Sequence, residues 1–375
     1  MSKEDRKVIA AALAAFILAG LSGVFFRWGM NGGWLAGLSL GNIRHAHSHL
    51  MYFSWAVPSL FVLLIPNDLI VRRCAWAAWL TGLLAWPLFL FYGYTAGTFG
   101  PVTMPPAVAI SGLVMLIWYG FVWRWIQLRK SDPLAWAAVI FLVASSIGAW
   151  GISAVAPLGL KNPVWVESFK HMFLSYFTEG WLTLGCLALL VRRFPLPPSR
   201  LFSIALALLG AGVATAFLFA MPSNILSPAI QWYARLAAVL SGVGLGWIAV
   251  GLWKQSSGWW RLPVGALLTK SFALVVLGPW PTIWWADHHQ DRILFLHLLL
   301  LGIVSSTILL MALADDHRVA RPFFSASIVL ILMLIPVSTV WVFPSVMALW
   351  MPAIGLFSVL PVLAAVPVCM RLLRT

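Results

Sequence analysis

The sequence predicts an all-α integral membrane protein with twelve transmembrane helices, both termini in the cytoplasm, and three four-helix units around a pseudo-threefold axis. Three observations predict this architecture: the composition, the placement of the basic residues and a repeat of histidines. Of the 375 residues, 62% are hydrophobic and only 9% are charged, whereas a soluble domain is about 25% charged. Such a chain needs the bilayer as its solvent, which excludes ordinary soluble enzymes and disordered proteins.

The basic balance of the chain does not indicate a nucleic-acid partner. The formal net charge is +14, but the basic residues stand in ones, twos and threes between apolar stretches instead of forming a patch. The three cysteines, Cys74, Cys186 and Cys369, have no metal-binding spacing and predict no disulfide framework. The partner that the composition predicts is the lipid bilayer.

Uncharged apolar stretches define the predicted spans, each of which needs about 20 residues. The connections are short and rich in proline and glycine, so we expect a single polytopic membrane domain over 1–375, with repeat-like units of about 1–130, 131–260 and 261–375. The predicted spans are 8–26, 45–65, 74–95, 105–123, 134–156, 169–191, 201–221, 232–253, 262–280, 292–314, 322–343 and 347–370.

The distribution of basic residues predicts the orientation. With twelve spans and a cytoplasmic N-terminus, 17 lysines and arginines fall on the cytoplasmic side and 6 on the outer side, while Lys270 lies inside span 9. Cytoplasmic loops of membrane proteins carry an excess of Lys and Arg. We therefore expect a multi-pass protein of the cytoplasmic (inner) membrane with both termini inside.

The histidines cluster at the outer ends of spans 2, 6 and 10. The steps from His45 to His171 and from His171 to His297 are both 126 residues, and each of these histidines opens a span four spans after the last. A repeat of this kind predicts three units of four helices; the alternative is chance spacing. A lone histidine in a membrane helix is usually an interhelical contact. Seven of the eight histidines, however, lie near the outer face of the membrane, and such a group indicates a cavity, a partner or a bound metal.

Two of these histidines are predicted to bind a heme on its two axial sides. On span 2, His45 and His49 are four residues apart and share a face, while His47 points away. His49 would lie at nearly the same depth as His297 on span 10, and His45, which lies nearer the water on the same face, is the alternative. Neutral imidazole is a good ligand for heme iron and for copper. A second metal is predicted for the remaining candidates, His47, His171, His288 and His289.

Two charged residues inside spans are candidate catalytic residues. Glu179 lies in span 6 and Lys270 in span 9, and an intramembrane charge is a functional hypothesis by default. Glu179 would relay protons or ligate a non-heme metal, and Lys270 would belong to a proton or ion path. The alternatives are a helix contact for Glu179 and, for Lys270, a side chain that snorkels to the interface. Replacement of Lys270 is not expected to destabilise the fold, because a buried ammonium is costly.

The same residues carry a resemblance to a known family. The segment Phe169–Trp181, with His171 and Thr178-Glu179-Gly180-Trp181, is similar to span 6 of the nitric oxide reductase branch of the heme-copper oxidases. His45-Ala-His47 and Leu296–Gly302 resemble the NnrS proteins. The resemblance implies a heme of b type, copper or non-heme iron as a further metal, a cytochrome or quinol electron donor, and a role in electron transfer or nitric oxide handling.

The chain departs from the oxidase pattern in two places. Span 7, Leu201–Met221, contains no histidine, and span 10 contains only His297. A full oxygen-reducing centre is therefore not expected, and whether the chain is an oxidoreductase stays open. The alternatives are an ion- or proton-coupled transporter and a structural membrane subunit, in a homo-oligomer or with a partner subunit. A transporter favours inverted repeats, whereas the histidine repeat joins helices of the same direction.

Overall fold

The structure, a computed structural model, describes the chain except residues 34, 36, 100, 101, 130, 156, 281–288, 314, 315, 339–343 and 375. Twelve long helices lie in the described part, and a short hairpin of β1 (Gly97–Phe99) and β2 (Val102–Met104) joins the third to the fourth. The helices are α1 Lys3–Met30, α2 40–64, α3 Leu69–Tyr92, α4 Pro106–Gln127, α5 Pro133–Val155, α6 Pro163–Arg193, α7 Arg200–Ala220, α8 Pro228–Gln255, α9 Gly258–Leu277, α10 Gln290–Ala312, α11 Arg318–Val337 and α12 Trp350–Arg374.

The prediction of an all-α membrane protein is confirmed. Eleven helices among the described residues are long and apolar enough to cross a bilayer. The predicted span 2 falls on α2, which is not among the eleven because its first half, Leu40–Leu50, carries Asn42, Arg44 and three histidines. Its second half is apolar and almost entirely buried. The number of twelve spans and the orientation stay predictions.

Three of the helices contain π-helical segments, and these are the three that carry the histidine repeat. The segments are Met51–Ala56 in α2, Tyr176–Thr183 in α6 and Leu298–Ser305 in α10. A π-helical turn is rare and is often found at a functional site. In α6 and α10 a buried hydroxyl donates to the carbonyl five residues earlier, from Thr183 to Thr178 at 2.9 Å and from Ser306 to Leu301 at 2.8 Å.

The chain forms two compact units. Unit 1 comprises Met1–Arg129, Ile308–Val337 and Trp341–Thr375, and unit 2 comprises Lys130–Thr307 and Ser338–Val340. The predicted single domain, its three repeat-like units and the pseudo-threefold arrangement stay predictions.

Each unit has its own packed interior. In unit 1, α1 packs against α2 and α12, and α3 packs against α2 and α4. The Phe16 ring meets the Trp55 and Phe323 rings edge to face at 5.6 and 5.5 Å, an arrangement that aromatic pairs prefer. In unit 2, α5 packs against α6, and α8 packs against both α7 and α9.

Close packing of α5 on α6 depends on Gly148. A methyl group at this position would lie 2.6 Å from the Phe169 carbonyl oxygen and would overlap the Phe173 backbone. We expect Gly148→Ala to destabilise the protein by about 1–3 kcal/mol, since a packed backbone cannot move aside. Gly210→Ala on α7 is the matched control: it meets nothing within 4 Å, and alanine is the better helix former. Apparent Tm in detergent measures both; equal Tm values for the two variants would contradict the expected packing.

Asp68 joins the start of α3 to the end of α4. Its Oδ1 accepts from the N–H groups of Ile70 and Val71, and its Oδ2 accepts from Arg124 Nε and Nη2 at 2.9 and 2.7 Å. Partial burial raises the pKa of the Asp68 carboxyl, but the Arg124 guanidinium and the two N–H groups outweigh burial and hold the pKa below its ordinary value. The carboxyl is therefore both a helix cap and half of an ion pair.

The lowered pKa of Asp68 predicts a pH-dependent contribution to stability. The contribution is fully present above the unfolded pKa of about 4 and is lost as the pH falls through the folded value. Asp68→Asn keeps the cap, because asparagine is a good N-cap, but loses the pair. We expect a loss of about 1 kcal/mol at pH 7 and a narrowing gap to the wild type on acidification to pH 3, measured by apparent Tm. A gap that stays constant would assign the loss to another cause.

Candidate functional sites

His45 and His49 lie on an aromatic face of α2. The His49 ring stacks on Phe89 of α3, with centroids 3.9 Å apart, and the His45 ring meets Tyr94 edge to face at 4.7 Å and lies 6.4 Å from Phe89. His49 Nδ1 is 3.0 Å from Ser111 Oγ on α4. Both histidines contact Phe89, so the predicted common face is observed.

His47 faces the other way, toward α1, as predicted. Its Nδ1 donates to the Ala19 carbonyl oxygen at 2.6 Å. Gly23 makes room for the ring, because a Cβ there would lie 2.9 Å from His47 Cε1. A carbonyl can only accept, so Nδ1 carries the proton and Nε2 is the basic nitrogen. Metal-bound histidines have this arrangement, in which a backbone carbonyl holds the second nitrogen.

His297 on α10 has the same tautomer. Its Nδ1 donates to the Ile293 carbonyl oxygen one turn earlier at 2.7 Å, which makes Nε2 the basic nitrogen. The side chain is half-buried and directly precedes the π-helical segment Leu298–Ser305. In both His47 and His297, Nδ1 is therefore bound to a backbone carbonyl oxygen and Nε2 is the basic nitrogen. The sequence assigned these two histidines to different sites, His297 to the heme and His47 to a second metal.

His171 lies beside a carboxylate that sequence reasoning missed. The imidazole is buried, and its Nε2 is 3.2 Å from Oε2 of Glu167, one turn earlier on α6. Glu167 also forms an ion pair with Lys170. The spacing of Glu167 and His171 could have predicted this contact, because residues four apart on a helix are neighbours.

The predicted second metal site stays a prediction. In the described part of the chain, no three histidine, cysteine, aspartate or glutamate side chains form a group that could hold a metal ion. His288 lies outside the described residues, and so does the side chain of His289. His47 and His171, the other two members of the set, have the contacts given above.

Glu179 and Lys270 form a buried ion pair in unit 2. Lys270 on α9 is 1% exposed, and its Nζ lies 2.5 Å from Glu179 Oε2 on the π-helical segment of α6. The same Nζ lies 4.0 Å from the ring centroid of Phe295 on α10, within the range of a cation–π interaction. The π-helical segments of α6 and α10 contact each other, and α9 packs against the latter. The snorkelling alternative for Lys270 is therefore wrong.

The fold and these sites define a polytopic α-helical membrane protein with polar groups buried among its helices. No protein-family model and no curated protein matches the chain.

Proposed function

We propose that the chain is a heme-binding membrane protein of the heme-copper oxidase subunit I or NnrS type, acting in electron transfer or nitric oxide handling in the cytoplasmic membrane. One observation carries the proposal: backbone carbonyls hold the Nδ1–H groups of His47 and His297, so that Nε2 of each ring is a ready metal ligand. Hydrogen bonding of this kind fixes the ring orientation and raises the basicity of the ligating nitrogen.

The proposed axial ligands come from α2 and α10. His297 is the ligand on α10. On α2 the predicted ligand is His49 or His45, and the tautomer of His47 adds a third candidate. The heme would supply an iron that exchanges one electron, with a cytochrome or quinol as electron donor. The chain supplies the imidazoles, the Phe89 ring that stacks on His49, and apolar helices that exclude water.

The recurrence of π-helical segments supports the repeat on which the resemblance rests. The segments begin at Met51, Tyr176 and Leu298, close to the 126-residue step between the histidines. Each segment follows the repeat histidine of its helix by a few residues. π-helical turns are frequently found at functional sites. The pseudo-threefold arrangement is proposed on this basis.

Heme content of purified variants tests the proposal and chooses the α2 ligand. We expect the wild type to contain heme b, measured by the pyridine hemochrome assay. Of the variants His45→Ala, His47→Ala and His49→Ala, the one that removes the ligand should lose at least ~90% of the heme, because two axial imidazoles hold the ring. The other two variants serve as matched controls on the same helix. Full heme content in all three would exclude an α2 ligand.

A second function, movement of a proton or ion through the membrane, is favoured by the Glu179–Lys270 pair. Buried charges of this kind line ion and proton paths in transporters. In liposomes that contain a pH-sensitive dye, Glu179→Gln should then abolish a proton flux that the wild type supports. A wild type without flux would exclude this function.

A further inference from the structure

Arg27 is a buried charge near the end of α1. The sequence placed it outside span 1, but α1 continues to Met30 and Arg27 is only 6% exposed. An arginine stays protonated in proteins. Its Nη1 is buried and has no hydrogen-bond partner, and within the described residues the guanidinium makes no ion pair.

The described acids of unit 1 do not compensate this charge. Asp5 is on the same helix, 22 residues away, which corresponds to about 33 Å. The others pair elsewhere: Glu4 with Lys7, Asp68 with Arg124, and Asp316 with Arg371.

The residues around Arg27 bury its side chain but do not neutralise its charge. Ala19, Gly23 and Arg27 lie on one side of α1 at four-residue spacing, and the ring that packs on this side is the imidazole of His47, which carries no negative charge. Asn31 donates to the carbonyl oxygens of Arg27 and of Met351, which ties the end of α1 to α12. The guanidinium is therefore held in the interior of unit 1 with a buried donor, Nη1, that has no hydrogen-bond partner.

We propose that Arg27 binds an anionic group, a carboxylate or a phosphate, carried by a molecule that the chain does not supply. A guanidinium presents a planar fork of donors that matches both groups, and a buried charge without a partner is strongly unfavourable. The anion is either free, entering from the aqueous phase, or the acidic group of a tightly bound molecule. The site does not depend on the proposed heme.

Anion titrations and native mass spectrometry of three purified proteins test the site and distinguish the two sources. The proteins are the wild type, Arg27→Gln and the control Arg44→Gln, whose arginine is exposed on α2. If the anion is free, sodium acetate or sodium phosphate at constant ionic strength should raise the apparent Tm of the wild type and of Arg44→Gln by roughly 2–4 °C, with saturation. The apparent Tm of Arg27→Gln should not rise. For a tightly bound molecule, the first two proteins should carry an acidic mass that Arg27→Gln loses.

The proposal is overturned if Arg27→Gln is as stable as the wild type and the two show the same anion response and the same bound masses; water alone would then solvate the charge. Should Arg27→Gln fail to fold, Arg27→Lys replaces it, because lysine keeps the charge but not the planar fork. We then expect an anion response or a bound-mass occupancy several-fold weaker than in the wild type, and equal values would contradict the site.

Discussion

Lys270→Met is expected to lower the free energy of unfolding by about 3–5 kcal/mol, because it leaves the mostly buried carboxylate of Glu179 without its partner. The pair is 2.5 Å apart, and the lysine is almost completely buried. From the sequence alone no loss of stability was expected, since a buried lysine without a visible partner is costly. The ion pair with Glu179 and the contact with the Phe295 ring change that expectation.

A double variant separates the pair from other effects of the substitution. Lys270→Met combined with Glu179→Gln removes both charges, so we expect it to recover most of the stability that Lys270→Met loses. Lys254→Met, at an exposed position near the end of α8, is the control and should change stability by less than ~0.5 kcal/mol. Unfolding in detergent, followed by tryptophan fluorescence, gives the values. Losses that simply add in the double variant would show that the two charges do not stabilise each other.

His297→Ala is expected to abolish the low-spin heme spectrum, and with it most of the bound heme. On α10 no other histidine follows His297, so no neighbouring ring can replace it. A matched control is His317→Ala, which lies between α10 and α11 and should leave the spectrum unchanged. His297→Gly should regain the low-spin spectrum when free imidazole is added, because the cavity admits the missing ring. An unchanged spectrum in His297→Ala would refute the ligand assignment.

The positions of the spans were predictable because hydropathy is a local property of the chain. The predicted span 201–221 corresponds to Arg200–Ala220, and 74–95 corresponds to Leu69–Tyr92. Where the boundaries differ, local chemistry is the reason. The predicted span 232–253 begins four residues too late, since Ser227 caps α8 and Pro228 occupies its first turn.

The contacts within the sites could not be predicted in the same way. The ion pair joins Glu179 and Lys270 from helices distant in sequence, and residue spacing does not encode which helices pack together. The tautomers of His47 and His297 depend on carbonyl groups whose positions only the folded backbone fixes. The burial of Arg27 follows from how far α1 continues and from the packing of α12 across its end.

The absorption spectrum of the purified wild-type protein, oxidised and then reduced, tests the proposed heme most directly. We expect a low-spin heme with two axial imidazoles, which gives a strong Soret band and sharp visible bands on reduction. A folded but colourless protein would contradict the proposal and would favour the structural-subunit or transporter alternatives.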